Sequence, residues 1–210
     1  MSVDKAYDSW AESYDVMLNK TRDLEEEAAK SMLKNAYFDT ILELGCGTGK
    51  NTLWLAEKCN KLIGLDFSEE MVAKAKQKVQ LKNVDFKKQD LKEEWNIDKS
   101  SISLVSCSLV LEHIEDLNLI FKKVSEVLEN KGEFYLGELH PFKQYSGSKA
   151  RFDKGSKTQE LEVYTHHISD YLAAAKKNQL DLIGLEEWFD EDNRTNIPRL
   201  VSLKFKKNIS

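Results

Sequence analysis

Ile41–Lys50 reads ILELGCGTGK: four mostly apolar, strand-like residues, then glycine at positions 45, 47 and 49. Glycine weakens strands and helices through its backbone entropy, and this chain holds only nine glycines in 210 residues. Three in one turn therefore need a local cause. The spacing predicts a sharp strand-to-helix turn whose backbone is approached too closely for side chains. A buried strand feeding such a turn and then a helix is the opening unit of a layered α/β sheet.

The rest of the chain repeats that unit. Helical patterns cover 4–18 and 22–37, the second with an acidic first turn at Asp23 and Glu25–Glu27. After strand 41–44 come helix 50–59, strand 61–66, and a helix over 69–81. Ser68 caps that helix, and Met71, Val72, Ala75 and Val79 recur on it at helical spacing. Strands follow at 83–90 and 102–111, then helix 117–129 with a stop signal at Asn130-Lys131-Gly132, then strand 132–139. Residues 140–160 lose periodicity and collect Gly, Ser and Lys, as a loop or flap does. Helix 168–178 and strands 180–189 and 199–206 finish the chain, the last two with no helix between them.

Alternating strands and helices predict a doubly wound, mostly parallel sheet covered on both faces, with an antiparallel C-terminal hairpin at its edge and helical additions at the N-terminus. The whole of 1–210 is expected to form one domain. Within it, 1–37 forms a helical lid, 38–139 a ligand-binding core, 140–167 a substrate flap, and 168–210 the closing helix and hairpin.

Composition narrows the partners. A formal net charge of −5 leaves no basic surplus to steer the chain to nucleic acid or an anionic membrane. The lysine run Lys204–Lys207, interrupted by Phe205, reads as a solvated strand edge. No apolar stretch approaches the ~20 residues that span a bilayer, and MSVDKAYDSW lacks the order of a signal peptide. Cys46, Cys59 and Cys107 are unmatched in spacing and sit in apolar strand or helix contexts. They are expected to be buried free thiols, with no metal site, in a reducing cytoplasm.

A dinucleotide fingerprint would read G-x-G-x-x-G. Here the spacing is G-x-G-x-G, Lys50 stands where the third glycine belongs, and Glu43 sits two residues before the first. A carboxylate there repels phosphate, so both departures favour a ligand without phosphate and with positive charge. Asp66 closes the second strand, 21 residues after Gly45, where an adenosine ribose presents its hydroxyls. Asp90 closes the third strand, placed to accept from an exocyclic amine beside the Leu91 N–H.

Four ordered stretches, ILELGCGTGKNT, GLDFSEEMVAKAK, VDFKKQDL and ISLVSCSLVLEHIEDL, are similar in order and spacing to the motifs of class I S-adenosylmethionine-dependent methyltransferases. The resemblance is to the small-molecule, methyltransferase type 11 branch that includes quinone-biosynthesis enzymes, and it covers about residues 5–140. It implies a Rossmann-like seven-stranded sheet and S-adenosyl-L-methionine as cofactor. Carried over, Gly45, Cys46, Gly47 and Gly49 would contact the methionine part, with Glu43 beside them orienting the turn or the cofactor amine. Asp66 would hold the ribose diol, Phe67 would lie against adenine, Asp90 and Leu91 would read the adenine edge, and Ser106 would wall the sulfonium. YDSWAESYD (7–15) resembles the segment that closes over the cofactor, making Tyr14, and after it Tyr7, lid candidates.

The implied activity is methyl transfer to a small-molecule acceptor by in-line displacement, driven mainly by proximity. A base is needed only for a weakly acidic acceptor. His140, at the end of the fifth strand, is the first candidate, and His113, after the fourth, the second; His166, His167 and Glu138 are further options. Trp10, Tyr145, Phe152 and Trp188 are candidates to line an acceptor pocket. SCSLVL (106–111) carries neither the Asn/Asp-Pro-Pro-aromatic run of base-amine methylation nor a Pro-Cys nucleophile, which favours a small molecule over nucleic acid. Two other readings stay open: an S-adenosylmethionine-binding sensor or partner subunit without turnover, and an NAD-dependent oxidoreductase, the latter disfavoured by Lys50 and Glu43. The acceptor's attacking atom, and whether the chain is a monomer or homodimer, are not set by the sequence.

Overall fold

In a computed structural model describing residues 19–147, 151–154, 157–160 and 163–208, with side chains given outside 151–160, strands and helices alternate as the pattern requires. Helix α1 spans Lys20–Met32 and β1 Phe38–Leu44; α2 (Lys50–Leu55) and β2 (Cys59–Asp66) follow, then α3 (Glu69–Lys78) and β3 (Val84–Lys88). Next come β4 (Ile102–Ser108), α4 (Leu117–Val127), β5 (Leu128–Leu139) and the short α5 (Pro141–Tyr145). Strands β6 (Arg151–Lys154) and β7 (Lys157–Glu160), helix α6 (Ile168–Lys177), β8 (Leu180–Trp188) and β9 (Leu200–Lys207) complete the chain. The expected helix over 4–18, with Tyr7, Trp10 and Tyr14, lies outside the described residues.

Seven strands form one sheet in the order β3-β2-β1-β4-β5-β9-β8. The pairs from β3 to β5 are parallel, and β9 runs antiparallel to both β5 and β8. The strand order reverses between β1 and β4, whose carboxyl ends open the crevice where such sheets bind ligands. Side chains alternate across β5: Phe134 and Leu136 enter one core with α4 and α6, while Tyr135 enters another with Ala29 and Leu33 of the α1 region. Ser68 caps α3 as expected, its hydroxyl accepting from the Met71 N–H at 3.1 Å.

Several local expectations are corrected. Helix α4 stops at Val127 and β5 starts at Leu128, so Asn130-Lys131-Gly132 is a strand bulge rather than a helix stop. Ile102 pairs with Leu128 and Leu104 with Glu133, and Lys131 takes a left-handed φ of 66° to absorb the extra residues. The stretch 140–160 carries α5 and the separate β6–β7 antiparallel pair, not a structureless loop. The lysine run belongs to β9, which is flanked on both sides. There Phe205 is fully buried, Lys204 pairs with Glu133 at 2.9 Å and Lys207 donates to the Leu128 carbonyl. The edge strand on this side of the sheet is β8.

Three rings lock α4 to the sheet. Phe121 meets Phe134 and Phe205 edge-on, at centroid distances of 5.3 and 5.7 Å. Phe121→Ala should lower unfolding free energy by about 3–5 kcal/mol in urea titration; a loss under ~1 kcal/mol would show that this layer does not hold α4.

Candidate cofactor site

The glycine turn closes directly on the neighbouring strand. The N–H groups of Gly45 and Cys46 both donate to the Leu65 carbonyl, at 2.8 and 3.0 Å, and the Gly49 N–H returns to the Cys46 carbonyl at 2.9 Å. All three glycines have left-handed φ, of 68°, 52° and 81°. Their causes differ. A Cβ on Gly45 would stand 2.3 Å from Val110 Cγ2, and one on Gly49 2.9 Å from Val79 Cγ2, whereas nothing lies within 4 Å of one on Gly47. Two of the glycines therefore admit neighbours of the fold itself, and Gly47 alone faces open space.

That space is a cleft lined by Arg22, Glu25, Glu43, the glycine turn, Asn51 and Ser108. Glu43 is buried in β1 and accepts from Thr52 Oγ1 of α2 at 2.5 Å. Burial, reinforced by the nearby Glu25 and Asp66 carboxylates and opposed by the Thr52 bond, pushes its pKa up to about 8. Glu25 is also buried. Its Oε1 accepts from Ser108 Oγ (2.6 Å) and Tyr135 OH (3.1 Å), and its Oε2 from Asn51 Nδ2 (2.9 Å). Desolvation raises its pKa, with those hydrogen bonds and Lys50 pulling the other way.

The sequence pattern places Glu25 in the acidic first turn of this helix, and the structure corrects this. With Asn19 as the cap, it falls in the second turn, on the stripe of Ala28, Ala29 and Leu33 that faces the sheet. An acid at i on an apolar i+3, i+4, i+8 stripe was the available signal. Lys50 makes its ion pairs with Asp23 (2.7 Å) and Glu26 (3.1 Å) of α1.

A second cleft adjoins the first, sharing Gly45, Gly47, Ser108 and Leu109, and is walled by Phe67, Met71, Leu91, Val110 and His113, with Asp66 at its edge. Asp66 is buried at the end of β2, and its two oxygens accept from the Gly47 and Ser68 N–H groups at 2.8 and 2.9 Å. It thus ties the turn to the start of α3. Cys46 lines the first cleft and packs with Val72 and Ala75, and burial raises its thiol pKa well above the ordinary value. All three cysteines are buried and unbridged.

Other residues named from the sequence fall elsewhere. Asp90 is exposed and accepts from the Lys92 N–H at 2.9 Å; it does not line either cleft, although Leu91 does. Ser106 is buried in mid-strand, opposite Glu43 and Tyr135, and Ser108, two residues on, is the hydroxyl at the cleft. Tyr14 is outside the described residues.

The histidines separate clearly. His113 lines the second cleft, with Nε2 3.9 Å from Glu112 Oε1. His140, expected as the substrate-facing base, is 1% exposed and engaged at both nitrogens: Nδ1 accepts from the Phe142 N–H at 3.2 Å, and Nε2 lies 3.0 Å from Glu187 Oε1. It caps α5 and fastens it to β8, so the geometry moves the base assignment away from it. His166 is buried against the Ile114 carbonyl at 2.8 Å, and the exposed His167 contacts Tyr145 OH at 3.0 Å. Tyr145 is exposed, Trp188 is half-buried, and the Phe152 side chain is outside the description. Among the described residues no group of acids, histidines and cysteines is arranged to hold a metal, and no helix is long and apolar enough to cross a membrane.

Comparison with known proteins bears directly on this cleft. A family model described as a methyltransferase domain matches residues 41–132. An uncharacterized protein of Haemophilus influenzae is 24% identical over 82% of this chain and 66% of its own length. The ubiquinone biosynthesis O-methyltransferase of Coxiella burnetii is 23% identical over 79% of this chain and 74% of that protein. Over several curated relatives the chain spans only 38–66% of their length. The crystal structure of an S-adenosylmethionine-dependent methyltransferase from Mesorhizobium loti superposes with a TM-score of 0.72 at 20% identity, over 88% of this chain and 98% of that one, which establishes a common fold. The matched domain takes in the glycine turn, Asp66 and the loop after β4 in one stretch, and residues 41–132 are similar to the methyltransferase domain family.

Proposed function

We propose that this protein transfers a methyl group from S-adenosylmethionine to a small-molecule acceptor. The observation that carries the proposal is the open space over Gly47, ringed by the buried carboxyl groups of Glu25, Glu43 and Asp66. Three acids with no phosphate-binding spacing suit a ligand bearing ammonium and sulfonium charges. The backbone from Gly45 to Gly49, with Glu43 and Glu25, would hold the methionine part. Asp66 would take the ribose hydroxyls, and the apolar wall of Phe67, Met71 and Leu91 would take adenine.

When bound, the cofactor supplies a methyl group on a cationic sulfur, open to in-line displacement. The chain's own contribution is to align the acceptor and exclude water, and such positioning accounts for roughly 7–11 kcal/mol of barrier in well-oriented models. The O-methyltransferase named among the relatives supports a small acceptor.

Calorimetry should show binding of S-adenosylmethionine and none of NAD. Asp66→Ala should weaken that binding about tenfold or more, since hydrogen bonds to a charged group are worth roughly 1.5–3 kcal/mol. An unchanged affinity would remove the ribose assignment.

Cofactor binding should also release protons. Glu43, with its pKa near 8, is mostly neutral at pH 7, and a cation in the cleft favours its charged form. Binding heats at pH 7 should therefore differ between Tris and phosphate buffers, corresponding to release of up to about one proton. S-adenosylhomocysteine, lacking the sulfonium charge, should release fewer, and Glu43→Gln should suppress most of the difference. Equal heats in both buffers would contradict a neutral Glu43.

A further inference from the structure

On the far side of the loop that follows β4 lies a second acid pair that the cofactor assignment does not use. We propose that Glu112 and Glu138 form a proton-accepting pair on the acceptor side of the cleft, and that the acceptor arrives with its nucleophile protonated, as a hydroxyl or an ammonium group, rather than as an anion. This rests on the methyl-transfer reading above.

Position is the first argument. Glu138 stands at the carboxyl end of β5, and its Oε1 accepts from the N–H groups of Val110 and Leu111, at 3.0 and 2.8 Å. Leu109, Val110 and His113 of the same loop wall the second cleft. Glu112 sits in the 3₁₀ turn Leu111–His113, beside the cleft-lining histidine. Its nearest polar side-chain contacts are loose: Gln144 Nε2 at 3.5 Å and His113 Nε2 at 3.9 Å.

Satisfaction is the second. Glu138 is 1% exposed, and its Oε2 is buried with no hydrogen-bond partner among the described residues. Buried polar atoms in folded proteins are nearly always paired, so an orphaned carboxyl oxygen at the catalytic end of the sheet marks a group kept for chemistry. Glu112 is 8% exposed. Among the described residues no lysine or arginine pairs with either carboxyl group.

Electrostatics agree with the geometry. Burial comes first for both, the Glu112 charge adds to it at Glu138, and the pKa values rise to about 7 for Glu112 and about 8 for Glu138. The titratable groups around them are Cys107 of β4, Glu25 of α1, Tyr171 of α6 and His113. Cys107 and Tyr171 are held neutral by burial, leaving the acid pair to titrate near neutrality. A base poised there is suited to proton abstraction at physiological pH.

The step balances without another reagent. A hydroxyl proton passes to the Glu112 carboxylate as the new bond to carbon forms, whereas an ammonium group gives its proton to Glu112 first, and the freed nitrogen lone pair then attacks. The methyl–sulfur bond breaks with its electron pair on sulfur, and Glu112 later returns the proton to solvent. Glu138 acts as the positioning residue, fixing the loop through its bonds to the Val110 and Leu111 N–H groups. An anionic acceptor would face two acids with no cation between them.

Two measurements test this. First, with protein labelled at the glutamate carboxyl carbons and saturated with S-adenosylhomocysteine, NMR should show two carboxyl groups titrating between pH 6 and 9, each lost in Glu112→Gln or Glu138→Gln. A glutamine at 138 can still accept from both N–H groups. Both acids titrating near the ordinary value of about 4.3 would overturn the pair. Second, S-adenosylhomocysteine release should be followed over a panel of phenols, primary amines and matched carboxylic acids.

Turnover is expected with phenols or amines. Glu112→Gln should lower it about a hundred- to ten-thousand-fold at unchanged S-adenosylmethionine affinity, with partial recovery as phenol acceptors ionise at high pH. Turnover confined to the carboxylic acids, none across the panel, or less than about a threefold loss in Glu112→Gln would overturn the acceptor assignment. Failure to bind S-adenosylmethionine at all would instead refute the methyl-transfer reading, and the NMR titration would still judge the pair.

Discussion

A single buried carboxyl group, that of Glu25, decides where the N-terminal helix meets the sheet. It takes hydrogen bonds from Ser108 at the end of β4, Tyr135 in β5 and Asn51 in α2, and Tyr135 reaches on to Ser202 of β9 at 3.3 Å. Four elements beyond α1 are thus registered on one side chain. Gly137 leaves the room for it, because a Cβ there would stand 2.6 Å from Glu25 Oε1. An acid in this place is costly unless every partner is present, so the network specifies one docking of α1 rather than a range of them. The same carboxyl group lines the cleft over Gly47. The residue that docks the helix therefore also lines the cleft.

The cleft follows a consistent electrostatic plan. Glu25 and Glu43 are both desolvated, and the Glu25 charge adds to the rise at Glu43, a condition unfavourable to them as anions. A cation entering the cleft relieves it. Arg22 and Lys50 also line this cleft, and Lys50 is held by ion pairs to Asp23 and Glu26 of α1. The sequence departure from a dinucleotide fingerprint thus has a structural counterpart: the helix start that would present a glycine to pyrophosphate presents a lysine tied back to α1.

Much of this was legible beforehand, and the misses share a cause. The alternation of strands and helices, the Ser68 cap, the glycine turn and the place of Asp66 at the end of β2 all follow from local patterns of period, cap and turn, which adjacent residues encode. Glu25 falls in the second turn and not the first because α1 starts two residues earlier than the sequence pattern indicates. Ser106 was taken for Ser108 because a buried strand alternates faces, and sequence alone did not show where the strand ended. His140 stands at the rim of the sheet as expected, but its partner Glu187 is 47 residues away, and no local pattern reports that bond. The lysines of β9 suggested an edge because their pairing with Glu133 and Leu128 is non-local.

Val110 joins the two halves of the site. Its side chain fills the space that Gly45 leaves by having no Cβ, while its N–H is held by Glu138. The preceding residue, Leu109, takes a left-handed φ of 57° and donates to the Gly137 carbonyl at 2.8 Å, so the loop is strained locally and secured at both ends. A shift of this loop would have to break the bonds at Glu138 and open the packing against the glycine turn together. The shape of the cofactor cleft and the environment of the acid pair are consequently one structural variable. Gly45 is thus constrained by its neighbour Val110 as well as by its left-handed φ, whereas Gly47, over open space, is constrained by its φ alone.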